Sequence, residues 1–113
     1  MKYFLALLLF WIMPAFAQSF LPGTEDIPLM KGLTQVEETA SFDSPAERMV
    51  LISAQTSKSK ADILKFYKQT LANLGWQAKK ADQFERGSDS LSIEIVPNGQ
   101  INQIQFRLSQ RNP

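Results

Sequence analysis

Residues 59–76, SKADILKFYKQTLANLGW, decide the fold. Within them Ile63, Phe66, Tyr67, Thr70, Leu71 and Leu74 recur at the spacing of one face of an α-helix. Ser59 stands ahead of the run as an N-cap whose hydroxyl can accept a backbone N–H, and Asp62 follows at the positive end of the helix. Gly75 supplies the left-handed residue that stops a helix, and Trp76 is placed to pack back onto Leu71 in a Schellman-type ending. The pattern predicts one amphipathic helix over 59–74.

The flanking segments read as strands. From Val36 to Phe42 the chain alternates, with Val36, Glu38, Ala40 and Phe42 on one side and Glu37, Thr39 and Ser41 on the other. Glu38 interrupts the apolar row, which predicts a place near a sheet margin. Asp43-Ser44-Pro45-Ala46-Glu47 is a turn, and residues 48–56 form a second strand with Val50, Ile52 and Ala54 inward. A third strand runs from Trp76 to Arg86, with Gly87-Ser88 as its turn. Residues 89–96 and 101–109 form a last hairpin around Asn98-Gly99, the dipeptide of a type I′ turn. That turn sets Leu91 opposite Phe106 and Ile93 opposite Ile104. On the polar side it sets Ser90 opposite Arg107, Ser92 opposite Gln105 and Glu94 opposite Gln103.

The predicted fold class is α+β: a five-stranded, mostly antiparallel sheet in the order β-β-α-β-β-β, with one helix packed on one face. Pairing of the first strand with the last predicts the spatial order 2-1-5-4-3. The organisation is a signal peptide over 1–17, an extended N-terminal arm over 18–33 and a single α+β domain over 34–110. In the arm, Ile27, Leu29, Met30 and Leu33 are too apolar for a solvated tether and predict docking on the core.

Residues 1–17 carry the marks of export. Lys2 gives a positive start, Phe4 to Met13 is an unbroken apolar run, and Ala15-Phe16-Ala17 offers small residues to signal peptidase. That run is shorter than the roughly 20 residues a membrane-spanning helix needs. No cysteine follows it to carry a lipid, so no stable membrane anchor is expected after cleavage. The competing reading is an uncleaved N-terminal anchor; with cleavage the destination is periplasmic or secreted. Losing Lys2 brings the 12 basic side chains to 11, matching the 11 acids. A neutral mature chain speaks against nucleic acid as a partner.

Among the 113 residues there is no cysteine and no histidine. A disulfide scaffold, a thiolate or imidazole metal site, and catalysis through Cys or His are excluded. Glu37 and Glu38 are adjacent and point to opposite faces of a strand, whereas Glu85 and Glu94 could lie on neighbouring strands. Ser44, Ser53, Ser57, Ser59 and Ser88 have no histidine partner, which leaves Ser57 with Lys60 as a formal Ser-Lys pair. The companion motifs of the S-x-x-K enzymes are missing. Asp82, Glu85 and Asp89 are acids for an all-oxygen Ca²⁺ site, but their spacing matches no known loop. The polar strand face of Ser90, Ser92, Glu94, Gln103, Gln105 and Arg107 offers hydrogen bonds without an aromatic platform. Phe66, Tyr67 and Trp76 read as core, with the Tyr67 hydroxyl at its rim.

Charge is segregated. Residues 25–47 hold Glu25, Asp26, Glu37, Glu38, Asp43 and Glu47 against Lys31. Residues 58–80 hold Lys58, Lys60, Lys65, Lys68, Lys79 and Lys80 against Asp62. A cationic helix face of this kind reads first as an ordinary solvated face; the alternative is that it rests on anionic lipid or on an acidic partner. Lys58, Lys65 and Lys68 have no exposed Trp or Leu between them, so the apolar half of a membrane-surface helix is missing.

Asp26-Ile27-Pro28-Leu29-Met30-Lys31-Gly32, Phe42-Asp43-Ser44-Pro45 and Phe66-Tyr67-x-x-x-Leu71-x-x-Leu74-Gly75-Trp76 together resemble a class of small exported bacterial domains, some of them lipoproteins. Their pattern is a DxPxxxG segment, two strands, a helix ending in FYxxxLxxxGW and a β-meander. The resemblance covers residues 26–108 and implies the fold above, with no catalytic residue to carry over. The functional expectation is a non-enzymatic envelope module that binds another envelope protein and needs neither metal nor cofactor. The alternatives are a small carboxylate- or Ser-Lys-dependent hydrolase, or a binder of lipid or a small apolar ligand. Amino-terminal sequencing of the exported protein is expected to begin at Gln18; a full-length chain retaining Met1 in the membrane fraction would contradict cleavage.

Overall fold

The computed structural model describes residues 19–111, so the expected signal peptide over 1–17 lies outside the described residues. Two ten-residue strands come first, β1 (Thr34–Asp43) and β2 (Glu47–Thr56), followed by helix α1 (Lys60–Asn73). Two short strands, β3 (Gln77–Lys80) and β4 (Gln83–Arg86), precede the long hairpin of β5 (Asp89–Asn98) and β6 (Ile101–Arg111). All six form one antiparallel sheet in the order β1-β2-β6-β5-β4-β3.

The helix follows its local signals. The Ser59 hydroxyl accepts the Asp62 N–H at 3.1 Å. Gly75 adopts φ +92°, and the Trp76 and Gly75 N–H groups donate to the Leu71 and Ala72 carbonyls at 3.0 and 3.2 Å. These are the paired bonds of a Schellman ending, which satisfy carbonyls the helix cannot. Ile63, Tyr67 and Leu71, one turn apart, form the buried stripe. They lie over the face made by Val50, Ile52 and Ala54 of β2, Ile104, Phe106 and Leu108 of β6, Leu91 and Ile93 of β5, and Phe84 of β4. Each fully buried aliphatic side chain stabilises by about 1.5–3 kcal/mol, so this single interface dominates the fold.

Four expectations are corrected. The sheet has six strands rather than five, because Trp76–Arg86 folds back on itself at Ala81-Asp82. The Asp82 carbonyl there accepts the Ile93 N–H at 3.0 Å. The strand order differs because β2, with its buried row, takes the interior place beside β6, and β1 is left at the margin. The inward row expected on β1 holds at Val36, which packs against the core, and breaks after Glu38. Pairing slips between Glu38 and Ala40, so Phe42 faces Met49 rather than Arg48 and stays 59% exposed. A bulge moves every later side chain to the other face.

The last hairpin turns one residue later than Asn98-Gly99 predicts, which shifts every cross-strand partner by two. Asn98 pairs with Ile101, leaving Gly99 and Gln100 as the loop. Gly99 has φ +69°, and Gln100 does not share a positive φ. This is the type II′ arrangement, with glycine at the first central position. Leu91 therefore faces Leu108, Ile93 faces Phe106, Ser92 faces Arg107 and Glu94 faces Gln105. A slip of two preserves which face each side chain occupies, so the apolar and polar rows survive.

Residues 19–30 close into a compact loop. The Leu21 N–H donates to the Ile27 carbonyl and the Leu29 N–H to the Ser19 carbonyl, each at 2.9 Å. Leu21, Ile27 and Met30 are buried with the core, and Leu29 and Leu33 pack against it. Truncating the centre of the helix stripe with Leu71→Ala is expected to cost about 2–5 kcal/mol in chemical denaturation; an unchanged midpoint would mean that the stripe does not face the sheet.

Candidate functional site

The segregated charge of the sequence becomes a spatial feature. The acidic residues Glu37, Glu38 and Asp43 belong to β1, one margin of the sheet, and Lys79 and Lys80 belong to β3, the opposite margin. Beside β3, helix α1 presents Ala61, Leu64, Lys65 and Lys68, spaced three, four and seven residues from the first and so on one flank. Together with Ala78, Lys79, Lys80 and Ala81 they line a groove of about 480 Å³. Alanine at 61, 78 and 81 leaves the floor open and apolar. Both walls carry lysine: Lys65 and Lys68 from the helix, Lys79 and Lys80 from the strand. The ion pair at this rim is Lys79 with Glu85, at 3.9 Å and exposed. An exposed pair of that length contributes little, so the groove keeps a cationic surplus. Its chemistry is attraction of anions around an apolar floor.

The other candidates do not converge. Glu37 pairs with Ser53 and Glu38 with Ile52, which puts the two carboxylates on opposite faces. Glu85 pairs with Ser90, whereas Glu94 pairs with Gln105, about 13 Å along β5 at ~3.3 Å per residue. Ser57 and Lys60 are both exposed and share no hydrogen bond, and it is Ser59 that caps the helix. Asp89 faces Arg86 at 3.7 Å and Glu85 faces Lys79, and among the described residues no three acids gather as for a metal ion. The polar sheet face carries shallow concavities along Ser92, Glu94, Gln103, Gln105 and Arg107. Phe42 joins this side through the β1 bulge, together with Met49 and Leu51, so the face has an apolar corner that strict alternation does not place there.

The aromatic cluster serves the fold. The Tyr67 ring meets Phe106 edge-on at 5.4 Å and Phe66 at 4.8 Å. Its hydroxyl, expected at the rim, is instead buried. It donates to the Pro28 carbonyl at 2.8 Å and accepts the Met30 N–H at 3.3 Å. Burial pushes the phenol well above its usual range, and the Met30 N–H offsets this in part. Trp76 is buried beneath the Arg86 guanidinium, 4.5 Å from the ring centre. Arg86 also reaches Asp26 at 2.6 Å and the Leu74 carbonyl at 3.2 Å, while Arg48 donates to the Gly23 carbonyl at 2.9 Å. Two arginines thus hold the 19–30 loop at its polar rim. Neither they nor Ala61, Leu64, Ala78 and Ala81 stood out in the sequence, where only the lysines of the helix face were visible.

The raised Tyr67 phenol fixes a sign. In the unfolded chain tyrosine ionises near pH 10, while the folded protein keeps the proton to higher pH. Stability is therefore full below about pH 10 and falls above it, by about 1.4 kcal/mol per pH unit for this one group. Tyr67→Phe is expected to remove that dependence and to cost about 1–3 kcal/mol at neutral pH, since the Pro28 carbonyl and Met30 N–H lose their partner. Chemical denaturation of both chains between pH 7 and 11 reads the difference; parallel profiles would contradict the buried phenol.

No curated protein and no solved structure matches the chain. The family model described as START domain-like matches residues 33–105. The match takes in all of α1 and β1 to β5 and starts just after the 19–30 loop. The chain belongs to the START domain-like family.

Proposed function

We propose that this protein is an exported, non-catalytic binding module of the bacterial envelope, and that its binding face is the lysine-walled groove between α1 and β3, which takes an acidic protein partner. The observation that carries this reading is the groove itself: four lysines on two walls, an apolar floor and one weak, exposed ion pair at its rim. Polar complementarity of this kind steers encounter and selects partners more than it adds raw affinity. Family membership supports a ligand-binding fold. The targeting segment supports export.

The alternatives fit less well. A ligand held between helix and sheet meets a filled interior, because Ile63, Tyr67 and Leu71 are fully buried against it and Ile27 of the loop is fully buried alongside. A hydrolase requires convergent ionisable groups, and the carboxylate and Ser-Lys candidates lie apart. The test places a photo-crosslinking residue at Leu64 or, as a control, at Phe42, in the chain expressed in intact cells. The reading predicts polypeptide adducts from position 64 that fade when Lys65→Glu and Lys68→Glu are added. Adducts from position 42 alone, or adducts at 64 indifferent to the lysines, would contradict it.

A further inference from the structure

The groove opens along a free sheet edge. β3 is the terminal strand, paired only with β4, and all four of its residues are exposed. Among the described residues its outer N–H and C=O groups therefore have no strand partner, a row onto which an extended peptide can add. β3 is four residues long and has one register shift of its own, between Ala78 and Lys80; the opposite margin is longer and carries the other sign of charge. β1 is interrupted by two register shifts and carries Glu37, Glu38 and Asp43, features that blunt an edge. Lysine on an edge strand is itself a common guard against pairing, and that explains Lys79 and Lys80. It does not explain Lys65 and Lys68, which the helix holds across the groove from the strand. Ala61, Leu64, Ala78 and Ala81 make its floor, which offers small apolar surface between the two lysine walls.

We infer that the groove receives an extended acidic segment of the partner as an added strand on β3. Alternate carboxylates face the lysines of both walls, and the intervening small apolar side chains rest on the alanine floor. The segment continues the sheet beyond β3, along the flank of α1. This inference rests on the groove being the binding face and adds how the partner is held: main-chain pairing supplies affinity, and the lysines supply selection.

The probe is a short capped peptide of alternating glutamate and valine, titrated into the isotope-labelled mature protein and followed by amide NMR shifts and hydrogen exchange. Expected are shifts confined to residues 61–68 and 77–81, slowed exchange along β3, and weakening by added salt. Binding is expected to fall at least tenfold with Lys65→Glu/Lys68→Glu, whose side chains are exposed and leave the core intact. Lys79→Glu/Lys80→Glu provides a second variant. A peptide N-methylated at alternate residues, unable to pair with a strand, is expected not to bind. Equal binding by the methylated peptide, shifts centred on β1, or occupancy of the groove by dodecyl phosphate but not by the peptide would each overturn strand addition. If crosslinking from position 64 persists while strand addition fails, the binding face stands and only the mode of binding falls.

Discussion

One phenol hydroxyl ties three layers of this protein together. Tyr67 lies at the centre of the helix stripe, its ring against Phe106 of the sheet and its oxygen between the Pro28 carbonyl and the Met30 N–H of the N-terminal loop. A buried hydroxyl without partners costs more than a satisfied one contributes, so the loop must be in place for Tyr67 to be tolerated where it is. The loop in turn brings Leu21, Ile27 and Met30 into the core. The Arg86–Asp26 pair at its rim is partly exposed and adds little beside that burial. The loop is therefore held chiefly by apolar burial and by Tyr67.

A filled interior directs binding outward. With Ile27, Ile63, Tyr67, Leu71 and Phe106 fully buried, helix and sheet are spent on each other. What remains open is the surface, and there the charge is sorted by sheet margin. Acids collect on the bulged β1, and lysines collect on β3 and the adjoining flank of α1. The segregation noticed along the sequence becomes, through the strand order, a separation across the width of the sheet. A chain with little net charge can still present a strongly cationic groove at one edge.

The parts of the fold governed by neighbours in sequence were legible. Ser59, Asp62, Gly75 and Trp76 act within one helical turn, and the structure places them as capping rules require. The β2 row of Val50, Ile52 and Ala54 was legible because alternation survives there unbroken. Alternation has a period of two, however, and is blind to a slip of two; that is why the hairpin faces were right while the partners of Leu91 and Ile93 were not. The bulge after Glu38 and the turn at Ala81-Asp82 lack a glycine or proline to announce them. Of the groove, the lysines were visible in sequence, but the meeting of the Ala61-Leu64 flank with Ala78 depends on β3 reaching the sheet margin under the helix. Burial of Leu21 and the reach of Arg86 to Asp26 are likewise long-range facts.

Native-state hydrogen exchange of the Leu21 and Met30 amides tests most directly whether the 19–30 loop belongs to the cooperative core. Both amides are hydrogen-bonded, one within the loop and one to Tyr67. If loop, helix and sheet form one unit, these amides open with the same free energy as the β2 and β6 amides and share their dependence on denaturant. Exchange of Leu21 and Met30 at low cost, while β2 and β6 stay protected, would contradict this and make the loop a detachable cover over the helix and sheet.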